Sequence, residues 1–382
     1  MSDIQAPPPE LRYAAELAFL SAWDAAPRPV GWRRTPRAVV TFIMGTEAAL
    51  ELPTPVEGLP ERLVITPKFV GDRAIVERAV ITLLGSRGLL LVGEPGTAKS
   101  MLSELLAAAI SESSGLTVQG TAGTTEEQLR YGWNYALLLG RGPSRDALVP
   151  SPVLVGMEAG ALVRVEEVTR CLPEVQDALV SILSDRRMSV PELGAAGTCY
   201  AAPGFNVIAT ANLRDRGVSE MSAALKRRFN FETIPPIASA EQEVALVRRQ
   251  MEGVVAPSGP AARVDERVLH ALVTAFRDLR VGRSAEGWPV EKPGAVMSTA
   301  EAVGVASSIA LDAAWFPERH DPAALLPGYL LGVVLKDDPK DRGRLLAYWD
   351  GAVRRRADPA GAHPQAELWR RLHSMRRVLE EG

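Results

Sequence analysis

Gly88-Leu89-Leu90-Leu91-Val92-Gly93-Glu94-Pro95-Gly96-Thr97-Ala98-Lys99-Ser100, followed by Met101-Leu102-Ser103-Glu104-Leu105-Leu106-Ala107-Ala108-Ala109-Ile110, decides the reading of this chain. The first five residues form an apolar run of the kind buried on both faces of a parallel sheet. The last ten carry apolar residues three and four apart, as a packed helix does. Between them lies a loop rich in glycine and proline, and strand, loop, helix is the context that a phosphate-binding loop requires. Gly93 and Gly96 let the backbone curl so that its N–H groups point inward at the β- and γ-phosphates of a nucleotide, toward which the helix presents its positive end. Lys99 would reach the β/γ oxygens, and the Ser100 hydroxyl would bind Mg²⁺. Glu94, Pro95 and Thr97 fill out the loop. Ala98 stands where a glycine usually precedes the lysine, so the strict pattern is missed by one methyl group.

Outward from that loop, further elements follow in order. The run Ala161-Leu162-Val163-Arg164-Val165 ends in Glu166-Glu167, placing two carboxylates at the C-terminal end of a strand, where ligands bind in open α/β sheets. Glu166 is expected to hold the metal through its water shell, and Glu167 to orient and deprotonate the attacking water. A second run, Asn206-Val207-Ile208-Ala209-Thr210-Ala211, delivers Asn212, a neutral hydrogen-bonder able to place that water. Met221-Ser222-Ala223-Ala224-Leu225-Lys226-Arg227-Arg228-Phe229 then brings Arg228 and, second to it, Arg227. A guanidinium stays charged and forks onto phosphate oxygens, so an arginine at a subunit boundary can complete a neighbour's site. Taken singly, these residues read as a solvated strand end, a turn and a basic helix end. Their order behind the loop favours chemistry.

The rest of the 382 residues frames an α/β core expected over 67–236. Residues 1–66 hold two helical patterns, PELRYAAELAFLSAWDAA and PRAVVTFIMGTEAALEL, and then the proline-rich linker PTPVEGLPERLVITPKF. Residues 237–382 turn helical, with EQEVALVRRQM, ERVLHALVTAFRDLR, STAEAVGVASSIALDAAWF, AALLPGYLLGVVL and AELWRRLHSMRRVLEE carrying the three-and-four spacing. Hydrophobic residues at 47% against 23% charged describe an ordinary globular protein. A net charge of −3 supplies no general attraction to a phosphate backbone and argues against nucleic acid. Cys171 and Cys199 alone make no disulfide framework, and four scattered histidines leave zinc no site. The start MSDIQAPPPE lacks a basic and apolar leader, and no stretch reaches about 18 apolar residues. A cytoplasmic protein without a membrane partner is expected.

FVGDRAIVERAV leading to GEPGTAKS, VEEVTRCLPEVQDALVSILSDRRMSV, FNVIATANL and ALKRRF together resemble the AAA+ superfamily of P-loop ATPases, and in detail its MoxR-like, helix-2-insert branch. The resemblance spans residues 69 to about 232 and covers the helical lid in outline. It implies an ATP hydrolase of α/β class: a P-loop domain with a central parallel sheet, an α-helical lid behind it and, here, a small helical region ahead. It implies ATP and Mg²⁺ as cofactors, with Val70 and Gly71 joining Gly93 to Ser100 in nucleotide binding. Asn212 takes the place of sensor 1, and Arg228 or Arg227 that of the arginine finger. The branch forms hexameric or partly open homo-oligomeric rings and often acts as a chaperone on a protein partner with a von Willebrand factor A domain. LRYGWNYALLLGRGPSRDALVPSPVLVG occupies the place of the insert, and MSVPELGAAGTCYAAPGF that of a hairpin facing the pore.

One departure concerns the lid helix, where Met297-Ser298-Thr299-Ala300-Glu301 puts Ala300 or Glu301 at the branch's sensor 2 arginine. Thr35-Pro36-Arg37 opens an N-terminal helix with an arginine in a comparable setting. Arg37 is either the missing charge or, more simply, a solvent-facing residue of a capped helix. Two other functions stay open. A nucleotide-gated scaffold with little turnover is favoured by Ala98, Glu166 and the missing arginine. A motor subunit of a restriction-type, nucleic-acid-processing complex is suggested because ALKRRFNF also resembles the GTP-using branch of AAA+, and the net charge weighs against it.

Overall fold

The computed structural model describes residues 6–212, 220–255, 264–316, 318, 321–336, 338–361 and 363–381. By their internal contacts the residues divide into two units, Met1–Glu94 with Ala98–Pro235, and Pro95–Thr97 with Pro236–Gly382.

The first unit is built on five strands: β1 (Gly88–Val92), β2 (Thr117–Gln119), β3 (Leu162–Glu166), β4 (Asn206–Ala211) and β5 (Phe229–Thr233). Their order across the sheet is β5-β1-β4-β3-β2, and every pairing is parallel. All residues of β1, β3 and β4 are buried, which is why β1 is apolar throughout and the other two are mainly so, interrupted by Arg164 and Glu166 in β3 and by Asn206 and Thr210 in β4. Strand β4 lies between the other two. Ala211 pairs with Val92 and Ala209 with Val165, so Gly93, Asn212 and the Glu166-Glu167 pair emerge along one edge of the sheet.

Helices α1 (Ala14–Trp23), α2 (Pro36–Met44), α3 (Arg73–Leu84) and α4 (Lys99–Ser111) share one buried cluster with the sheet, among them Phe19, Phe42, Ile65, Val76, Leu89 and Leu106. Residues 1–66 therefore have no core of their own. Arg34 donates to the carbonyls of Leu17 (2.9 Å) and Ala109 (3.1 Å), and Lys68 Nζ bonds Glu16 (2.5 Å) and the Phe42 carbonyl (3.0 Å). The helix expected over TEAALEL is absent. Gly45, at φ +73°, stops α2 where an added Cβ would meet Pro67 N at 2.5 Å, and Leu50–Glu51 pairs instead as a short strand with Arg62–Leu63. At the opposite end of the sheet from Gly93, three left-handed glycines touch through backbone alone. A Cβ on Gly31 or Gly160 would lie 2.1 or 2.3 Å from the Pro203 carbonyl oxygen, and one on Gly204 would lie 2.5 Å from that of Gly160.

The insert is a hairpin, Tyr131–Trp133 against Leu148–Pro150, enclosing a helix Tyr135–Arg141 that has no buried residue. Arg187–Ser189 likewise pairs antiparallel with Thr198–Tyr200 at the second expected hairpin.

The second unit is helical: α5 (Ala240–Val255), α6 (Glu266–Val281), α7 (Thr299–Trp315), α8 (Pro322–Val334), α9 (Asp341–Tyr348) and α10 (Ala366–Ser374). Leu272, Phe276, Ile309, Leu330, Trp349 and Trp369 are part of its core. After α9 the helix widens to an i→i+5 turn over Trp349–Val353 and continues to Ala357. Its buried residues Trp349, Ala352, Val353, Arg356 and Ala357 keep the three-and-four spacing, with Arg356 itself a core residue. The guanidinium is fully buried, held two-pronged by Glu286 (2.8 and 2.7 Å) and paired with Asp278 (2.7 Å). Among the described residues no helix is long and apolar enough to cross a membrane.

Candidate nucleotide site

The loop after β1 turns through two left-handed residues, Gly96 at φ +75° and Ala98 at φ +64°. A glycine is usual before the lysine because the backbone there needs positive φ, which alanine adopts at a cost of about 1–2 kcal/mol. Lys99 opens α4 with its side chain turned back into the loop, where Nζ donates to the carbonyls of Gly93 (3.1 Å) and Glu94 (2.7 Å). The next residue, Ser100, donates from Oγ to Glu166 Oε2 at 2.7 Å.

Glu166 is 4% exposed and its carboxylate accepts from four groups. Ser100 and Thr210 hydroxyls meet Oε2 at 2.7 Å each, while Ser103 Oγ (2.6 Å) and Arg164 Nη2 (2.8 Å) meet Oε1. Burial pushes this carboxyl's pKa up, yet the hydrogen bonds from Ser103 and Thr210, the Arg164 charge and the Ser100 hydroxyl together hold it below the usual carboxylate range. Glu167 follows at φ +51°, its N–H donating to Thr210 Oγ1 (2.9 Å) and its carboxylate paired with Arg170 at 2.6 Å. Residues with side chains held at such angles cluster at functional sites. Gly120, in the loop after β2, admits this corner: its N–H donates to Glu166 O at 2.7 Å, and a Cβ there would lie 2.4 Å from Glu167 O. Asn212 lies one residue past β4, level with Gly93.

The structure thus gathers Gly93, Glu94, Lys99, Ser100, Glu166, Glu167 and Asn212, while Gly96 and Ala98 shape the loop around Pro95 and Thr97. It adds Thr210, Ser103, Arg164 and Gly120, which the sequence reading passed over. Their signals were a lone hydroxyl in an apolar strand and a guanidinium within a buried run, since a buried polar group requires a partner. Arg228 and Arg227 lie elsewhere. The Arg228 carbonyl accepts from Gly88 N–H (2.9 Å) at the start of β1, five residues and about 17 Å along the strand from the loop. Arg228 Nη1 donates to Ala224 O (2.6 Å), Nε bonds the Ser184 hydroxyl, and Arg227 is exposed. Val70 is half-buried and Gly71 exposed in the turn before α3, outside the hydrogen-bonded cluster. Arg37 stacks its guanidinium on Trp23, 4.4 Å from the ring centroid. In the second unit Ala300 is exposed, and Glu301 closes a capping box on Ser298 and pairs with Lys336. Leu213, quoted with the strand before it, lies outside the described residues.

Residues 88–229 match the family described as AAA domain (dynein-related subfamily), and residues 241–380 match the YehL-like AAA+ ATPase C-terminal domain. The uncharacterized protein YehL of Escherichia coli K12 is 48% identical over 364 residues, covering 95% of this chain and 96% of that one. The uncharacterized protein YojN of Bacillus subtilis is 26% identical over 220 residues, covering 55% of this chain and 64% of YojN. Among solved structures, NtrX from Brucella abortus in complex with ADP has a TM-score of 0.47 at 15% identity, covering 82% of this chain and 66% of that one. The family matches fit the MoxR-like AAA+ resemblance of the sequence. With a phosphate loop, a paired-carboxylate strand end and a helical C-terminal unit in place, the chain belongs to the YehL-like AAA+ ATPases and is an ATP-hydrolysing P-loop enzyme.

Proposed function

We propose that this ATPase works as a ring of identical subunits that couples ATP hydrolysis to the remodelling or maturation of a protein partner. The observation that carries the reading is the register of β5 on β1, which holds Arg228 a strand's length from its own phosphate loop. An arginine so placed serves another subunit's nucleotide, as trans-acting arginines do in phosphoryl transfer.

Ser100 Oγ and Glu166 Oε2 are hard oxygen donors that fit Mg²⁺, which takes one or two protein ligands and keeps waters and phosphates for the rest. Among the described residues no three His, Cys, Asp or Glu side chains gather as a metal cluster, and Ser100 and Glu166 are the residues that would hold the ion beside a bound nucleotide. When bound, Mg²⁺ neutralises charge building on the β/γ oxygens. Lys99 exchanges the loop carbonyls for phosphate oxygens. Glu167, released from Arg170, takes the proton of the attacking water, which Asn212 orients.

A partner with a von Willebrand factor A domain is the candidate the resemblance supports, and the net charge of −3 favours protein over nucleic acid. The cytoplasm is the proposed location. Mixing Arg228→Ala subunits with Glu167→Gln subunits tests the ring: some interfaces then join a sound Glu167 to a sound Arg228, and part of the ATPase rate returns. No recovery at any ratio would overturn the trans arrangement. A scaffold with little turnover is the second reading, favoured by the left-handed alanine before Lys99 and by Glu301 in place of an arginine. A near-zero rate, equal in wild type and Glu167→Gln, would select it.

A further inference from the structure

Arg164 lies in the middle of β3, and its side chain is 10% exposed. Each of its five N–H donors has a partner. Nε donates to Ser103 Oγ (2.9 Å), Nη1 to the Ser114 carbonyl (3.0 Å) and Thr117 Oγ1 (3.3 Å), and Nη2 to the Ser100 carbonyl (3.3 Å) and Glu166 Oε1 (2.8 Å). The two oxygens of Glu166 are thereby divided. Oε1 is taken by Arg164 and Ser103, and Oε2 faces the hydroxyls of Ser100 and Thr210. Glutamate has one more rotatable bond than aspartate, so an untethered Oε2 would spread over several rotamers. A planar guanidinium that grips Oε1 and the adjoining α4 together removes that freedom.

We propose that Arg164, assisted by Ser103, is a positioning residue that makes a glutamate competent to hold the nucleotide's magnesium. It pins Oε1 so that Oε2 stays aimed at the Ser100 hydroxyl. The inference rests on the reading of Ser100 and Glu166 as the metal-holding pair. A purely structural Arg164, tying β3 to α4 and to the Ser114 carbonyl, would affect nucleotide binding equally with and without the ion. A positioning Arg164 acts on the magnesium-dependent part alone, because partners that orient a metal ligand set its affinity.

The test is equilibrium binding of a fluorescent ADP to the full chain, in EDTA and in excess Mg²⁺, with the ratio of the two affinities as the readout. In Arg164→Met the EDTA affinity stays within about twofold of wild type while the magnesium gain falls about tenfold or more. Arg164→Lys, which keeps a charge near Oε1, recovers part of the gain. Within Glu166→Gln, adding Arg164→Met causes no further loss, because the arginine acts through that carboxylate. A full magnesium gain in Arg164→Met, equal losses in both buffers, or additive losses in the double variant would overturn the proposal. Should Arg164→Met not fold, Ser103→Ala removes one partner of Oε1 and is expected to lower the gain, and an unchanged gain there overturns the proposal too. A wild type without magnesium gain, or a Glu166→Gln that keeps it, would instead bring down the metal-holding pair itself.

Discussion

At Ala98 and Glu167, residues with side chains hold left-handed backbone on either side of the catalytic space. The conformation at Ala98 is one that glycine adopts without a steric penalty, and the relief exceeds the extra entropy glycine loses on folding. Ala98→Gly should therefore raise stability by about 1 kcal/mol, read as a higher melting temperature of the nucleotide-free protein. A lower melting point would show that the methyl group packs usefully. Lys99→Ala should cost about 10²–10³-fold or more in turnover while the circular dichroism spectrum is unchanged, because the ammonium, which donates to the Gly93 and Glu94 carbonyls of the loop, serves to neutralise phosphate charge rather than to pack. Retained activity would remove the site assignment. Lys99, Ser100 and the carboxylate pair were legible because their spacing along the chain is itself the chemistry. Thr210 and Ser103 were not, because their shared partner Glu166 lies 44 and 63 residues away and is met only through a strand order that one sequence does not display, and Arg164, two residues from Glu166 on the same strand, is tied down by Ser103 61 residues away.

Among the elements, the buried Arg356 fixes how the C-terminal helices close on α6. Removing it leaves Asp278 and Glu286 facing each other without their cation, so Arg356→Met should cost about 3–5 kcal/mol in chemical denaturation of the second unit. Burial pushes the Glu286 carboxyl up, but the two-pronged Arg356 bond and its own backbone outweigh this and bring it down to about 2. A carboxyl whose folded pKa is depressed adds stability above its unfolded value and loses it as pH falls through the folded one. Unfolding of the second unit should thus grow easier between the ordinary glutamate range and pH about 2, with a weaker acid slope in Glu286→Gln. The apolar runs of β1, β3 and β4 announced those strands. Strand β2 has three residues and β5 exposes Phe231 at the sheet edge, so neither carries such a run. The burial of Arg356 has no reading in the sequence, because the acidic partners that bury it lie 70 and more residues earlier in the chain.

For the molecule as a whole, the proposed ring, in which Arg228 would work on a neighbour, would make activity a property of the assembly. Turnover per subunit should fall on dilution and recover on concentration, and a rate strictly proportional to protein concentration down to the lowest measurable level would contradict it. Of the two helical patterns ahead of the core, the first was legible as helical and the second only as far as Met44. That they complete the core was not, since Arg34 and Lys68 look like surface charges until the Ala109 carbonyl and Glu16 are found beside them.

The contact among Gly31, Gly160 and Gly204 bears on what can be exchanged. A Cβ on Gly31 or Gly160 would meet the Pro203 backbone and one on Gly204 would meet that of Gly160 and Gly31, so a side chain at any of the three collides with main chain that no change of a neighbouring side chain can clear. A saturation scan should find these positions intolerant both singly and in pairs, whereas Gly58, equally left-handed but facing open space, admits replacement at the cost of backbone strain alone. Exchanging the leading segment for an unrelated one should therefore fail unless the replacement brings its own glycine to the place of Gly31.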